Sequence, residues 1–367
     1  MAIGFPTKAN WSAGDILTAA QMDDLAGTVN LLQNSAFPIV AGKNAIIDGA
    51  MDFWQRGVSV AVAASTTNSY TADRFCLTTA TNEASTVSQQ LTSDTTNLPN
   101  IKYCARVQRN SGQTGTSPIY FDQSIETLNS IPLVGKIVTL SFYARAGSNF
   151  SAGSNSVGAQ IITGTGTDQN LNSVTGASIL SSTGNILSTT FQRFTITATI
   201  PTTATQVFLR FLFTPVGTAG ANDYFEITGV QLELGSVATT FSRAGGSIGG
   251  ELALCQRYYY RLGGAANYET FAQAVWTSTT AGTGFIKTAQ TLRTNNPSVE
   301  FASLRALVYS TVGIATNSVS NVTLTQNANG NFFNLSVTAA GSMVSGFTGW
   351  IDSNGTTAGY LALSSEL

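Results

Sequence analysis

Beyond residue 44 the apolar residues of this chain recur at every second position, a period that builds pleated strands and excludes a helical architecture for most of its length. In 136–145 (KIVTLSFYAR), Val138, Leu140, Phe142 and Ala144 share one face, while Thr139, Ser141 and Tyr143 share the other. Phe194, Ile196, Ala198 and Ile200 repeat the pattern, as do Val207, Leu209, Phe211 and Phe213. In that last segment Phe208 and Leu212 make the second face apolar too, so the strand is central or is covered, for example by a neighbouring subunit. In 224–234 the phase breaks: Phe225 and Ile227 set one parity, and Val230, Leu232 and Leu234 set the other. One extra residue restores alternation, and Gly229 marks a β-bulge at Thr228 and Gly229. Turns rich in Gly, Ser, Asn and Thr separate the runs, the longest at 147–158 and 164–184, which predicts an all-β sandwich.

Composition narrows the chemistry. Only 10% of residues are charged, against about 25% in ordinary soluble proteins. Seventeen Lys and Arg nearly balance nineteen Asp and Glu, so no net field draws nucleic acid or an anionic membrane. The chain has no histidine, which excludes Ser-His-Asp and Cys-His catalysis as usually built and removes the commonest metal ligand. Cys76, Cys104 and Cys255 are far apart and odd in number, with no C-x-x-C spacing, so they read as small core residues. No metal and no cofactor are expected. No apolar run reaches the length of a spanning helix, and MAIGFPTKAN lacks the pattern of a secretion signal, so no membrane insertion is expected.

Helical period is confined to the first residues. Thr18 is placed to cap a helix with Gln21 at capping-box spacing, and Met22, Leu25, Val29 and Leu32 then follow at intervals of three, four and three. That a/d seam predicts either a short three-chain bundle that trimerises and anchors the protein, or a helix lying on the sandwich behind it. Gly245-Gly246 and Gly249-Gly250 flank a polar joint that reads as a linker. The expected organisation is mainly β: a helical arm over 1–43, a jelly-roll sandwich over 44–245, and a second, smaller β-sandwich over 246–367.

Several segments carry a family resemblance. GVQLELG (229–235), the nearby T-x-F ending at Phe241 and ELALCQRYYY (251–260) form a junction. NAIIDGAMDFWQRG (44–57), SYTADRF (69–75) and YLALSSEL (360–367) flank it at a distance. Together they resemble bacteriophage virion proteins of the tail-fibre type, in which a jelly-roll like that of carbohydrate-binding modules precedes a C-terminal β-domain. Trp11, Gly14, Asp15, Leu17, Thr18, Ala19, Ala20 and Gln21 resemble the leader of phage tail proteins. The resemblance implies a homotrimer in the virion, with the arm docked on tail or portal and adaptor proteins and a surface glycan of the host as ligand. Location on the tail is the first expectation and the head the second.

Hydrolysis of a sugar link needs two carboxylates set about 5–10 Å apart across the bond. The nearest acidic pairs, Asp23 with Asp24, Asp48 with Asp52 and Asp122 with Glu126, read as helix-surface, turn or strand-end residues. Binding without catalysis is therefore the expectation. Sugar rings stack on aromatic faces while amides and hydroxyls read their OH groups. Tyr143, Tyr259, Trp276 and Trp350 stand in the exposed phase and are the candidate ligand-binding residues, whereas Trp54 reads as core. Alternation is expected to send Tyr258 and Tyr260 one way and Tyr259 the other, with Arg257 and Arg261 beside them. The expected function is adhesion by a tail fibre; a structural head fibre or capsid decoration protein and a glycan-degrading tailspike are the alternatives.

Overall fold

The structure, a computed structural model, describes residues 42–311, 313–327 and 330–367. The arm that holds Met22, Leu25, Val29 and Leu32, together with Asp23 and Asp24, lies outside the described residues. The first strands are β1 (Ser59–Val62), β2 (Ser69–Tyr70), β3 (Cys76–Thr78), β4 (Ser85–Leu91), β5 (Tyr103–Arg109) and β6 (Ile119–Ser124). A single-turn helix α1 (Thr127–Ser130) leads into β7 (Ile137–Ala146), β8 (Ser156–Gly164), β9 (Ser178–Ile186), β10 (Gln192–Thr199), β11 (Gln206–Phe213) and β12 (Tyr224–Leu234). These strands form two antiparallel six-stranded sheets, in the orders β1-β4-β5-β12-β7-β10 and β2-β3-β6-β11-β8-β9. From β5 onward the chain crosses repeatedly between the sheets, as a jelly-roll does. The inward residues predicted from alternation, among them Val138, Leu140, Phe142, Val207, Leu209 and Phe211, pack into one core between the sheets.

The phase break in β12 is a bulge. Thr228 pairs with Tyr143 and Gln231 with Ser141, so Gly229 and Val230 stand opposite Phe142 alone. Gly229 has φ +60°, and a Cβ there would press on the Ile101 and Tyr143 side chains. The freed backbone is taken up by the segment before β1: Asn44 Nδ2 donates to Val230 O at 3.0 Å and to Ser242 O at 3.1 Å. The same side chain accepts from Ile46 N and Leu232 N. On the second apolar face of β11, Phe208 is covered by its own chain, packing on Ile162, Leu171 and Val174, while Leu212 is half-buried.

After the sandwich comes α2 (Ile248–Gln256), where the sequence reads as a linker running into a strand. Ser247 caps it, accepting from Gly250 N at 3.0 Å, and Gly245 N donates to Glu251 at 2.6 Å. A Cβ on Gly245 would stand 2.2 Å from Gly250 C, so these glycines permit close backbone approach rather than flexibility. The remaining strands are β13 (Tyr259–Gly263), β14 (Thr270–Trp276), β15 (Ala281–Lys287), β16 (Ser298–Ala302), β17 (Arg305–Ser310), β18 (Gly313–Asn327), β19 (Phe332–Ala339), β20 (Thr348–Asp352) and β21 (Tyr360–Ser364). The C-terminal part is β, as expected, but not two open sheets face to face. Six strands close into a barrel in the order β14-β15-β19-β18-β17-β20, beside a three-stranded sheet β13-β21-β16.

The segments that carry the family resemblance meet between sandwich and barrel. Arg74 stacks on Tyr258 at 3.6 Å and Arg56 on Tyr259 at 3.6 Å, and both pair with Glu366. Gln55 donates to Tyr259 O at 2.8 Å, and Arg261 donates back to Gln55 O at 3.0 Å. Glu126 accepts from the Tyr258 hydroxyl at 2.7 Å and from Arg257 at 2.8 Å. Arg293 holds Ser365 O at 2.7 Å and Glu366 O at 2.9 Å, and the Tyr70 hydroxyl donates to Leu367 O. Buried stacked guanidiniums and charge-assisted bonds make this joint stiff.

Candidate functional site

Each candidate aromatic has a distinct fate. Trp276 is fully buried inside the barrel, where its ring lies against Gly282 on the neighbouring strand. Tyr259 is buried in the seam, with Arg56 over its ring and its hydroxyl donating to Glu300 at 3.2 Å. Neither presents a face to solvent, so both are corrected from candidate sugar platforms to packing residues. Tyr143 is half-buried against the bulge, in a small cluster with Ile101, Cys104 and Phe191. Tyr258 precedes β13 and points at Glu126, whereas Tyr260 is half-buried against the barrel core; the two do not share an environment as strict alternation implied. Of the four, Trp350 borders a groove.

That groove runs over the outer face of the barrel and has a volume of about 330 Å³. Its lining comprises Thr270, Phe271, Ala272 and Gln273 from β14, Phe285, Ile286 and Lys287 from β15, and Trp350 from β20. Register builds it. Gln273 pairs with Trp350 on one side and Phe285 on the other, so the three side chains stand in one row across adjacent strands. With strands spaced by about 4.8 Å, Trp350 and Phe285 are roughly 10 Å apart at the backbone, with an amide between them. Rings two residues out of register extend it diagonally on both sides. Tyr309 meets Trp350 edge-on at 5.4 Å, and Phe332 stacks on Phe285 at 5.2 Å. Tyr309 is 52% exposed, Phe285 48% and Phe332 36%. Such a stripe of ring faces interrupted by amide and ammonium donors fits a ligand with alternating apolar and hydroxyl surfaces. No carboxylate lines the groove.

The acidic pairs weighed from sequence are engaged in packing contacts. Asp52 pairs with Arg243 at 2.7 Å, Asp122 with Arg210 at 2.7 Å, and Glu126 with Arg257. Asp48 is buried, accepts from Asp52 N and Phe53 N through one oxygen, and has no partner for the other. Burial and the charge of nearby Asp73 push its carboxyl well above the usual range. Burial likewise raises Asp73 and Glu251. The three cysteines are free and buried, and burial pushes the Cys76 thiol up to about 12. Among the described residues no cluster of His, Cys, Asp and Glu is arranged to hold a metal ion. Among them, too, no helix is long and apolar enough to cross a membrane.

No protein-family model matches the chain, and no curated protein matches it. Solved structures overlap it only loosely. The enzymatically active domain of tailspike protein 4 from Bacteriophage CBA120 aligns at 14% identity and TM-score 0.33, covering 52% of this chain and 21% of its own. A CBM4 structure aligns at 18% identity and TM-score 0.29, covering 51% of this chain and 98% of its own. A tandem CBM22-1–CBM22-2 domain from Paenibacillus barcinonensis aligns over 89% of this chain and 98% of its own, at 10% identity and TM-score 0.30. Scores this low leave the groove's own side chains to carry any statement about a ligand.

Proposed function

We propose that this chain is a non-enzymatic glycan-binding protein of a phage virion, a tail fibre subunit that self-associates as a homotrimer and docks through residues 1–43. The observation that carries the glycan part is the cross-strand row Trp350, Gln273 and Phe285, extended diagonally by the rings of Tyr309 and Phe332 on the next strands. Exposed rings in register with an amide give a sugar both stacking and hydrogen bonding. Ligand binding without hydrolysis is supported by the lack of any carboxylate along the groove. The virion part is supported by the resemblance of segments 44–57, 69–75, 229–241 and 251–260. Adhesion then works by weak single grooves multiplied over three chains and several fibres.

The test is saturable binding of the labelled protein to host cells, with phage adsorption measured in competition and Trp350→Ala as the groove control. Binding that blocks adsorption and falls with Trp350→Ala supports the reading. A folded protein that neither binds nor competes refutes it and favours a structural part on the head or tail.

A further inference from the structure

Resting on the glycan-binding reading, we infer that the groove selects an acidic saccharide, one whose hexuronic or similar carboxylate is met by Lys287. Lys287 is exposed at the end of β15, two residues beyond Phe285 and therefore on the same face, and its cross-strand partner is Phe332. It is the single charged side chain in the groove lining.

Its lack of a partner is unusual for this molecule. Among the described residues most Lys and Arg side chains are consumed in ion pairs, from Lys43 with Glu233 to Arg305 with Asp352. Lys102, Arg193 and Arg261, which have none, are held over the rings of Tyr103, Tyr143 and Tyr360, and Lys136, exposed on the sandwich away from any described groove, is the other cation without either. Lys287 has neither an acid nor a ring beneath its ammonium; Phe285 shares its strand face and Phe332 is its cross-strand partner. The acids closest in sequence to the groove are spoken for: Asp352 by Arg305 at 2.5 Å, and Glu269 by the backbone amides of Ala265 and Ala266.

An ammonium beside apolar ring faces is poorly screened by protein and has no internal acceptor. A sugar stacked on Phe285 would place its ring substituents beside that charge, and a carboxylate there gains a charge-assisted bond while a neutral hydroxyl gains less. No carboxylate in the lining opposes such a ligand. A neutral glycan would still stack on Trp350 and Phe285, so Lys287 sets preference among glycans rather than binding as such.

The experiment uses the full chain and paired probes: oligogalacturonate, oligomannuronate and hyaluronan oligosaccharides, each alongside its carboxyl-reduced form, titrated calorimetrically at low and high salt. At least one acidic member is expected to bind about tenfold more tightly than its reduced counterpart, with the difference shrinking in salt. Lys287→Gln should erase that preference, weakening the acidic form to the level of the reduced one. Trp350→Ala should weaken both forms. If reduced and acidic members bind equally and Lys287→Gln changes nothing, the inference is wrong and the glycan-binding reading survives. If no member of the panel shows binding that depends on Trp350, both are wrong.

Discussion

Removing the Glu126 side chain should loosen the joint between sandwich and barrel, and the contacts give the size of the effect. Glu126 is 4% exposed and accepts three hydrogen bonds, from the Tyr258 hydroxyl at 2.7 Å and from Arg257 at 2.8 and 3.3 Å. In Glu126→Ala the buried Tyr258 hydroxyl keeps only Asn129 Nδ2, a donor at 3.5 Å, so its own proton is left unpaired. Leaving a buried polar group unpaired costs about 1–3 kcal/mol. Arg257 is one-third exposed and can turn to water, so its lost ion pair adds about 1 kcal/mol. The expected loss is about 3 kcal/mol, and at roughly 2–4 °C per kcal/mol for a domain of the sandwich's size the melting temperature should fall by about 6–12 °C. Because Glu126 follows β6 of the sandwich and Tyr258 precedes β13, calorimetry should also resolve the variant's unfolding into two steps where the parent shows one. A double-mutant cycle with Tyr258→Phe should give a coupling of at least about 1 kcal/mol. Additive effects, or a shift under about 2 °C, would refute the view that this carboxylate ties the two parts together.

Other outcomes follow from the same contacts. Trp350→Ala should weaken glycan binding roughly tenfold, in line with about 1.5 kcal/mol of ring contact, without changing the far-ultraviolet spectrum; unchanged affinity would move the site elsewhere. The raised carboxyls of Asp48, Asp73 and Glu251 bind protons more tightly in the folded state than at their unfolded values of about 4. Their stabilising contribution is complete below that value and is lost as pH rises through the folded ones. Melting temperature should therefore increase as pH is lowered from neutral toward about 5, and Asp48→Asn should flatten that rise; a steady fall over the same range would contradict it. Gly49→Ala would place a Cβ 2.0 Å from the backbone oxygen of Val230 at the bulge, and should cost about 3 kcal/mol by chemical denaturation. A loss below 1 kcal/mol would mean the 44–57 segment does not grip β12 as described.

The sandwich was legible because its strands alternate cleanly and because a parity change such as that between Ile227 and Val230 has one cheap structural answer. The barrel was less so. Short alternating strands look alike whether their sheet stays open or closes, and closure here depends on β14 pairing with β20, far along the chain. Strand β14 also shows why Trp276 was misplaced. Its inward residues are Ala272, Ala274 and Trp276, and its outward ones are Phe271, Gln273 and Val275, so the more uniformly bulky face points to solvent. A narrow barrel needs small residues inside, and alternation distinguishes two faces without saying which is interior. Phe285 and Lys287 stand two apart in sequence, but their meeting with Trp350 depends on the register. Tyr259 was hidden for another reason: its partner Arg56 comes from a motif two hundred residues earlier.

Closing the barrel has a consequence for solubility. Exposed rings in a row along strands are a hazard when the strands also offer unpaired amides, because side-chain stickiness and backbone templating then act together to nucleate cross-β aggregates. Here the stripe from Tyr309 to Phe332 lies on strands β17, β20, β14, β15 and β19, each flanked on both sides by a partner in the ring. Among the described strands the open edges are at β1, β2, β9 and β10 of the sandwich and at β13 and β16 of the small sheet, none of them a strand of the stripe. A surface built this way can hold apolar faces out to water at high protein concentration without inviting neighbouring copies to add strands.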